Sequence, residues 1–152
     1  KILFAITGKT AAEIVVSRAN ANEPNMALTN WKGKVVRKQD IYIAKNYLTE
    51  DEIDNLNRFV TVFLETAELR AKNRQEITMA FWKENIDKII LLNDKTILQG
   101  KGKISNEQME KKVDALFASF DAKRKIAEAQ KADEQDLEEL KALENKIKAK
   151  KK

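Results

Sequence analysis

Residues 49–72 read TEDEIDNLNRFVTVFLETAELRAK, and this stretch decides the fold. Thr49 and Glu52 stand at capping-box spacing, where the hydroxyl meets a free first-turn amide and the carboxylate reaches back. Glu50, Asp51, Glu52 and Asp54 add negative charge at the positive end of the helix dipole. Ile53, Leu56, Val60, Phe63, Leu64 and Ala67 then recur at steps of three and four, which predicts one inward face of a helix reaching about Lys72. A partner helix is expected from Thr78, with Trp82, Ile86, Ile89, Ile90 and Ile97 on its face. The two are expected to form an antiparallel core pair.

On the N-terminal side, Lys1 to Thr7 reads as the last turns of a helix, closed by Gly8, the residue that most easily takes a left-handed conformation. Thr10 and Glu13 repeat the capping-box spacing and open a helix from Ala11 to about Ala19, with Ile14 and Val15 inward. Asn20 to Gly33 holds the only proline and reads as a loop, Lys34 to Arg37 as a short extended piece, and Gln39 to Tyr47 as a short helix. On the C-terminal side, Gly100 and Gly102 break the pattern, and Ser105 with Gln108 caps a final helix. No further proline or glycine follows, so at 1.5 Å per residue that helix can run roughly 65–70 Å. Met109, Val113, Leu116 and Phe120 form its packing stripe, residues 121–136 are mostly charged or alanine, and Leu137, Leu140, Leu143 and Ile147 resume a weaker stripe.

The expected architecture is all-α: a helical core domain over residues 1–104, and a long C-terminal helix over 105–152 that packs on the core and extends as an arm with a lysine-rich tail. The 152 residues are 43% hydrophobic and 35% charged, ordinary for a soluble, helix-rich protein. No apolar stretch approaches the roughly 20 residues of a membrane span, which points to a cytoplasmic protein with no membrane partner. There is no cysteine and no histidine, so thiolate nucleophiles, cysteine zinc sites and the commonest general base are excluded. No cofactor is implied. The net charge of +5 is unevenly spread: residues 146–152 hold 5 basic and no acidic side chains, and residues 1–46 hold 8 and 3. The chain is therefore polarised, with a basic N-terminal third and an acidic remainder before its tail.

The segment ITGKTAAEI from Ile6, the loop NMALTNWKG, and then RKQDIYIAKNYL follow one another in a fixed order. With TEDEIDNLN, the Ala67–Glu68 pair, Met79 with Trp82, GKIS from Gly102 and the tail DLEELKALENKIKAKKK, this arrangement resembles the RhuM family of bacterial virulence-associated proteins. The resemblance implies a product of a mobile or virulence island, and a usual N-terminal half similar to phage anti-repressor-type DNA-binding domains. That half is absent from this sequence, which opens inside an apolar run, KILFAI, and is expected to be the C-terminal part of a longer protein.

Three groups of residues are candidate sites. Lys9, Thr10, Glu13, Arg18, Asn25, Lys45 and Asn46 are the polar members of the family-like motifs. Thr10 and Glu13 are accounted for as a cap and the asparagines as turn closers, which leaves Lys9, Arg18 and Lys45 as an anion-binding cluster at the start of the second helix. Trp31, Lys32, Lys34, Arg37 and Lys38, near Tyr42, Lys45 and Tyr47, can hold phosphates and stack bases as a nucleic-acid patch; equally, the aromatics can anchor the loop while the cations are merely solvated. Glu65 with Glu68, and Glu84 with Asp87, have the spacing of paired carboxylates that hold Mg²⁺ on facing helices, similar to all-α nucleotide pyrophosphohydrolases. Such spacings also arise on solvated faces of highly charged helices. The leading reading is a noncatalytic interaction or oligomerisation module of a DNA-binding-type protein, self-associating through the final helix and possessing a possible nucleic-acid contact. The alternative is a carboxylate- and metal-dependent hydrolase acting on a nucleotide or nucleic acid.

Overall fold

The computed structural model describes the backbone of residues 1–150 and the side chains of residues 1–146. These residues form five α-helices and no strand: α1 (Ile2–Thr7), α2 (Ala11–Arg18), α3 (Glu50–Lys72), α4 (Met79–Leu92) and α5 (Asn106–Lys150). Each boundary has a local cause. Gly8 ends α1 at φ 71° and its amide returns to the Phe4 carbonyl. Thr10–Glu13 and Thr49–Glu52 are complete capping boxes at the starts of α2 and α3. Thr78 caps α4 through the Phe81 amide, and Ser105 and Gln108 exchange side-chain bonds to each other's amides ahead of α5.

Two apolar cores are built on this frame. The first gathers Ile14 and Val15 of α2, Met26, Leu28 and Val36 of the long loop, Ile41, Tyr47 and Leu48, and Met109 and Val113 of α5, with Ile53 and Leu56 of α3 alongside. The second is smaller, with Ala5 of α1, Phe59 of α3 and Ile90 of α4 buried, and Ile2, Ile6, Phe63, Ile86, Ile89 and Ile97 packed around them. The α3–α4 pair is antiparallel: Phe63 meets Trp82 edge-on at 5.6 Å between ring centres, and Arg70 stacks over Phe81 at 3.9 Å.

The structure alters four local readings. The buried face of α3 runs through Phe59 and leaves Val60 43% and Leu64 65% exposed. A helix buries a stripe narrower than its apolar residues allow, and α1 and α4 reach only the Phe59 side. Helix α4 stops at Leu92, where Asn93 and a left-handed Asp94 (φ 54°) turn the chain, so Ile97 joins the second core from the following segment. Residues 34–37 are not extended strand, and the expected helix over Gln39–Tyr47 is two 3₁₀ turns, Asp40–Tyr42 and Ala44–Tyr47, broken at an extended Ile43. The loop expected over Asn20–Gly33 is present, and it contains a left-handed turn at Asn25, Met26 and Ala27 (φ 54°, 57° and 62°). Met26 is fully buried there, and its packing offsets backbone conformations that cost non-glycine residues roughly 1–2 kcal/mol each.

The packing stripe of α5 is as its spacing predicts: Met109 and Val113 are buried, and Leu116 and Phe120 lie against the first core together with Phe117. Past that point the helix leaves the core. Leu137, Leu140 and Leu143 are 56%, 59% and 54% exposed. The side chain of Ile147 and most of the lysine-rich tail lie outside the described residues. Among the described residues no helix is long and apolar enough to cross a membrane.

Candidate functional site

The polar residues of α2, of the segment that follows it and of the first turn of α3 serve first to join elements. Glu13 does more than cap: one carboxylate oxygen accepts the Thr10 amide at 2.8 Å, and the other accepts the Lys103 amide at 2.7 Å, ninety residues away. These backbone donors, Thr10 first, hold its pKa below the usual carboxylate range. Gly102 makes the contact possible. At φ +82° a Cβ there would stand 2.6 Å from the Thr10 methyl. Arg18, at the end of α2, grips Glu52 of α3 with both guanidinium nitrogens at 2.6 Å and donates to the Tyr47 carbonyl at 2.7 Å. That bidentate bond holds the Glu52 carboxyl down at about 2. The buried Asn46 donates to the Asp40 carbonyl at 2.9 Å, and the Tyr47 hydroxyl to the Ile41 carbonyl at 2.9 Å, with burial pushing the phenol pKa up.

The seven residues of the first candidate group therefore do not share one cavity. Arg18 is committed to Glu52, Asn46 to the backbone, and Asn25 to the left-handed turn. Lys45 is exposed. Only Lys9 and Glu13 border a cleft of about 770 Å³ between the α1–α2 turn and the segment that joins α4 to α5. Its apolar wall comes from Phe4, Val16, Ile97, Leu98 and Ile104, and its cations are Lys9, Lys101 and Lys103. The Lys9 ammonium donates to Ser17 at 3.0 Å. Sequence reasoning missed Lys101 and Lys103; the only signals were the two glycines and the GKIS motif that fold this segment back.

The second group is more nearly assembled. The segment from Trp31 to Tyr42 is pinned to α5: Tyr42 and Lys38 both bond Asp114, Lys38 at 3.3 Å, and Arg124 donates to the Val36 carbonyl at 3.1 Å. The Tyr42 hydrogen bond, followed by Lys38, lowers the Asp114 pKa. Trp31 packs partly against the first core, while Lys32, Lys34 and Arg37 are exposed. A shallow depression of about 330 Å³ lies between Trp31, Lys32, Ile43 and Asn46. The loop is anchored through Trp31, Tyr42 and Lys38 and presents Lys32, Lys34 and Arg37 outward.

The carboxylates of the third group do not converge. Glu65, Glu68 and Glu84 face solvent, and Asp87 of α4 accepts both its bonds from the Lys1 ammonium, at 2.7 and 2.9 Å. Among the described residues no three carboxylates stand close enough to share a metal ion.

With this geometry in place, comparison with known families is decisive, because the model of the virulence protein RhuM family matches residues 1–128. The chain belongs to the RhuM family. The RhuM match takes in both cores, the capping boxes, the Arg18–Glu52 bond and the part of α5 that packs on them, and it ends before the Leu137–Leu143 stripe. No solved structure matches this RhuM chain.

Proposed function

We propose that this chain is a noncatalytic interaction and self-association module of a RhuM-family protein of DNA-binding type, working through the distal half of α5. One observation carries the reading. A continuous helix runs past the core with Leu137, Leu140 and Leu143 each more than half exposed. An isolated helical arm gains little from its own backbone bonds, and burying a leucine stripe against a partner is the usual source of its stability. The outward Lys32, Lys34 and Arg37 beside the half-buried Trp31 favour a nucleic-acid contact as a second activity of the same module.

Light scattering on the full chain and on residues 1–133 tests the first part. The full chain is expected to have a larger mass per particle than one copy, and the shortened chain to be monomeric. Equal assembly of the two would refute it. For the second part, binding to labelled DNA and RNA is expected to weaken steeply with salt and to be lost on reversing Lys32, Lys34 and Arg37.

A further inference from the structure

We propose that the arm of α5 docks in the cleft between the α1–α2 turn and the 96–104 segment of a second copy of this chain. The inference rests on the self-association reading and specifies its geometry. The cleft is a built feature: Glu13 clamps the Lys103 amide and Gly102 lies directly on Thr10, so the wall of the cleft is held in register with α2. Its lining is mainly apolar and its rim carries Lys9, Lys101 and Lys103. The only acid on the lining, Glu13, already accepts two backbone amides. An occupant must therefore be apolar on one side and anionic around it.

The distal part of α5 is an exposed segment of that kind. Residues 133–144, DEQDLEELKALE, hold six acidic side chains against one lysine, and their leucines are exposed. Complementary charge across such a contact sets register and excludes wrong pairings. The arm cannot reach the cleft of its own molecule. Leu137 stands 31 residues along α5 from Asn106, roughly 45 Å of straight helix at 1.5 Å per residue, whereas the cleft borders Ile104 at the base of that helix. A second copy running antiparallel brings each arm to the other's cleft and closes the pair with two-fold symmetry. The crossing then falls near the middle of the two α5 helices, where Ile126 is 61% exposed.

The chain has no cysteine, so single cysteines can be placed without background. Lys103→Cys and Glu139→Cys are both at exposed positions, and the Lys103 contribution to the clamp is its backbone amide, which the substitution keeps. The two full-length variants, one tagged, are mixed and treated with a short bifunctional maleimide, with mass measured on the same sample. The proposal predicts a cross-linked pair joining position 103 of one copy to 139 of the other. It further predicts at least tenfold less of that product with Lys9→Glu/Lys101→Glu, and recovery when Asp133→Lys/Asp136→Lys, on the leucine side of the arm, is added. A self-associated sample that links only 139 to 139 overturns the cleft docking and leaves arm-to-arm pairing. A monomeric sample with no cross-link overturns the docking and the self-association reading together.

Discussion

The Arg18–Glu52 bond joins the end of α2 to the start of α3, and replacing Glu52 by glutamine measures what that joint contributes. Glu52→Gln keeps the shape and an oxygen for the Thr49 amide, now 2.9 Å away, but removes the charge that Arg18 grips. A carboxyl held at about 2, against 4.5 without partners, favours the folded state by at most about 3.4 kcal/mol at neutral pH, taking 1.36 kcal/mol per unit. The two side chains are 26% and 19% exposed, so solvent screening trims the expected loss to about 2 kcal/mol. For a chain of this size that lowers the melting temperature by roughly 4–8 °C. The sign with pH follows from the direction of the shift. A depressed folded-state pKa stabilises fully above the unfolded value and is lost as pH falls from about 4.5 to about 2. The gap in stability between the parent and Glu52→Gln should therefore be flat from pH 7 to about 5.5 and close towards pH 2. Urea melts of both proteins across that range give the gap directly. A gap that persists undiminished at pH 2.5 would refute the assignment of this stability to the Glu52 charge.

Three further substitutions have defined outcomes. Gly102→Ala must place a methyl against Thr10 at a left-handed φ, so it should destabilise by at least about 2 kcal/mol and raise amide exchange at Lys103. Tyr47→Phe leaves the buried Ile41 carbonyl without its hydroxyl donor and should cost about 1–2 kcal/mol in a urea melt, with no change in oligomeric mass. Arg74→Gly relieves a left-handed residue (φ 54°) just past α3 and should raise stability by about 1 kcal/mol; a melt unchanged or lowered would show that the arginine side chain outweighs the backbone.

The features legible in the sequence are those decided within a turn or two of chain. The capping boxes at Thr10, Thr49 and Ser105, the left-handed Gly8, the start of α4 at Thr78 and the Met109–Phe120 stripe of α5 all depend on neighbours three or four residues away. What failed depends on partners far along the chain. Phe59 replaced Val60 on the inner face of α3 because α1 and α4 approach from that side. Ile97 reached the same core only after α4 had ended. The 3₁₀ turns around Ile43 follow from Tyr47 and Asn46 satisfying backbone carbonyls that a regular helix would have used itself. For the candidate sites, the local cap of Thr10 and Glu13 was legible and the long-range contacts were not. Arg18 looks like an anion-binding group in the sequence but grips Glu52, 34 residues distant, and Glu13 caps α2 as its spacing implies yet also accepts an amide 90 residues distant. The cleft that does form draws its cations from Lys101 and Lys103, which no motif joined to Lys9.

The measurement that tests the central claim most directly is sedimentation equilibrium of the full chain over a wide concentration range, beside a variant with Leu137, Leu140 and Leu143 changed to serine. The account predicts a reversible rise above the 17.4 kDa of one chain for the parent, and a monomer at every concentration for the variant. A parent that stays at one chain's mass throughout, or a variant that assembles as the parent does, would contradict it.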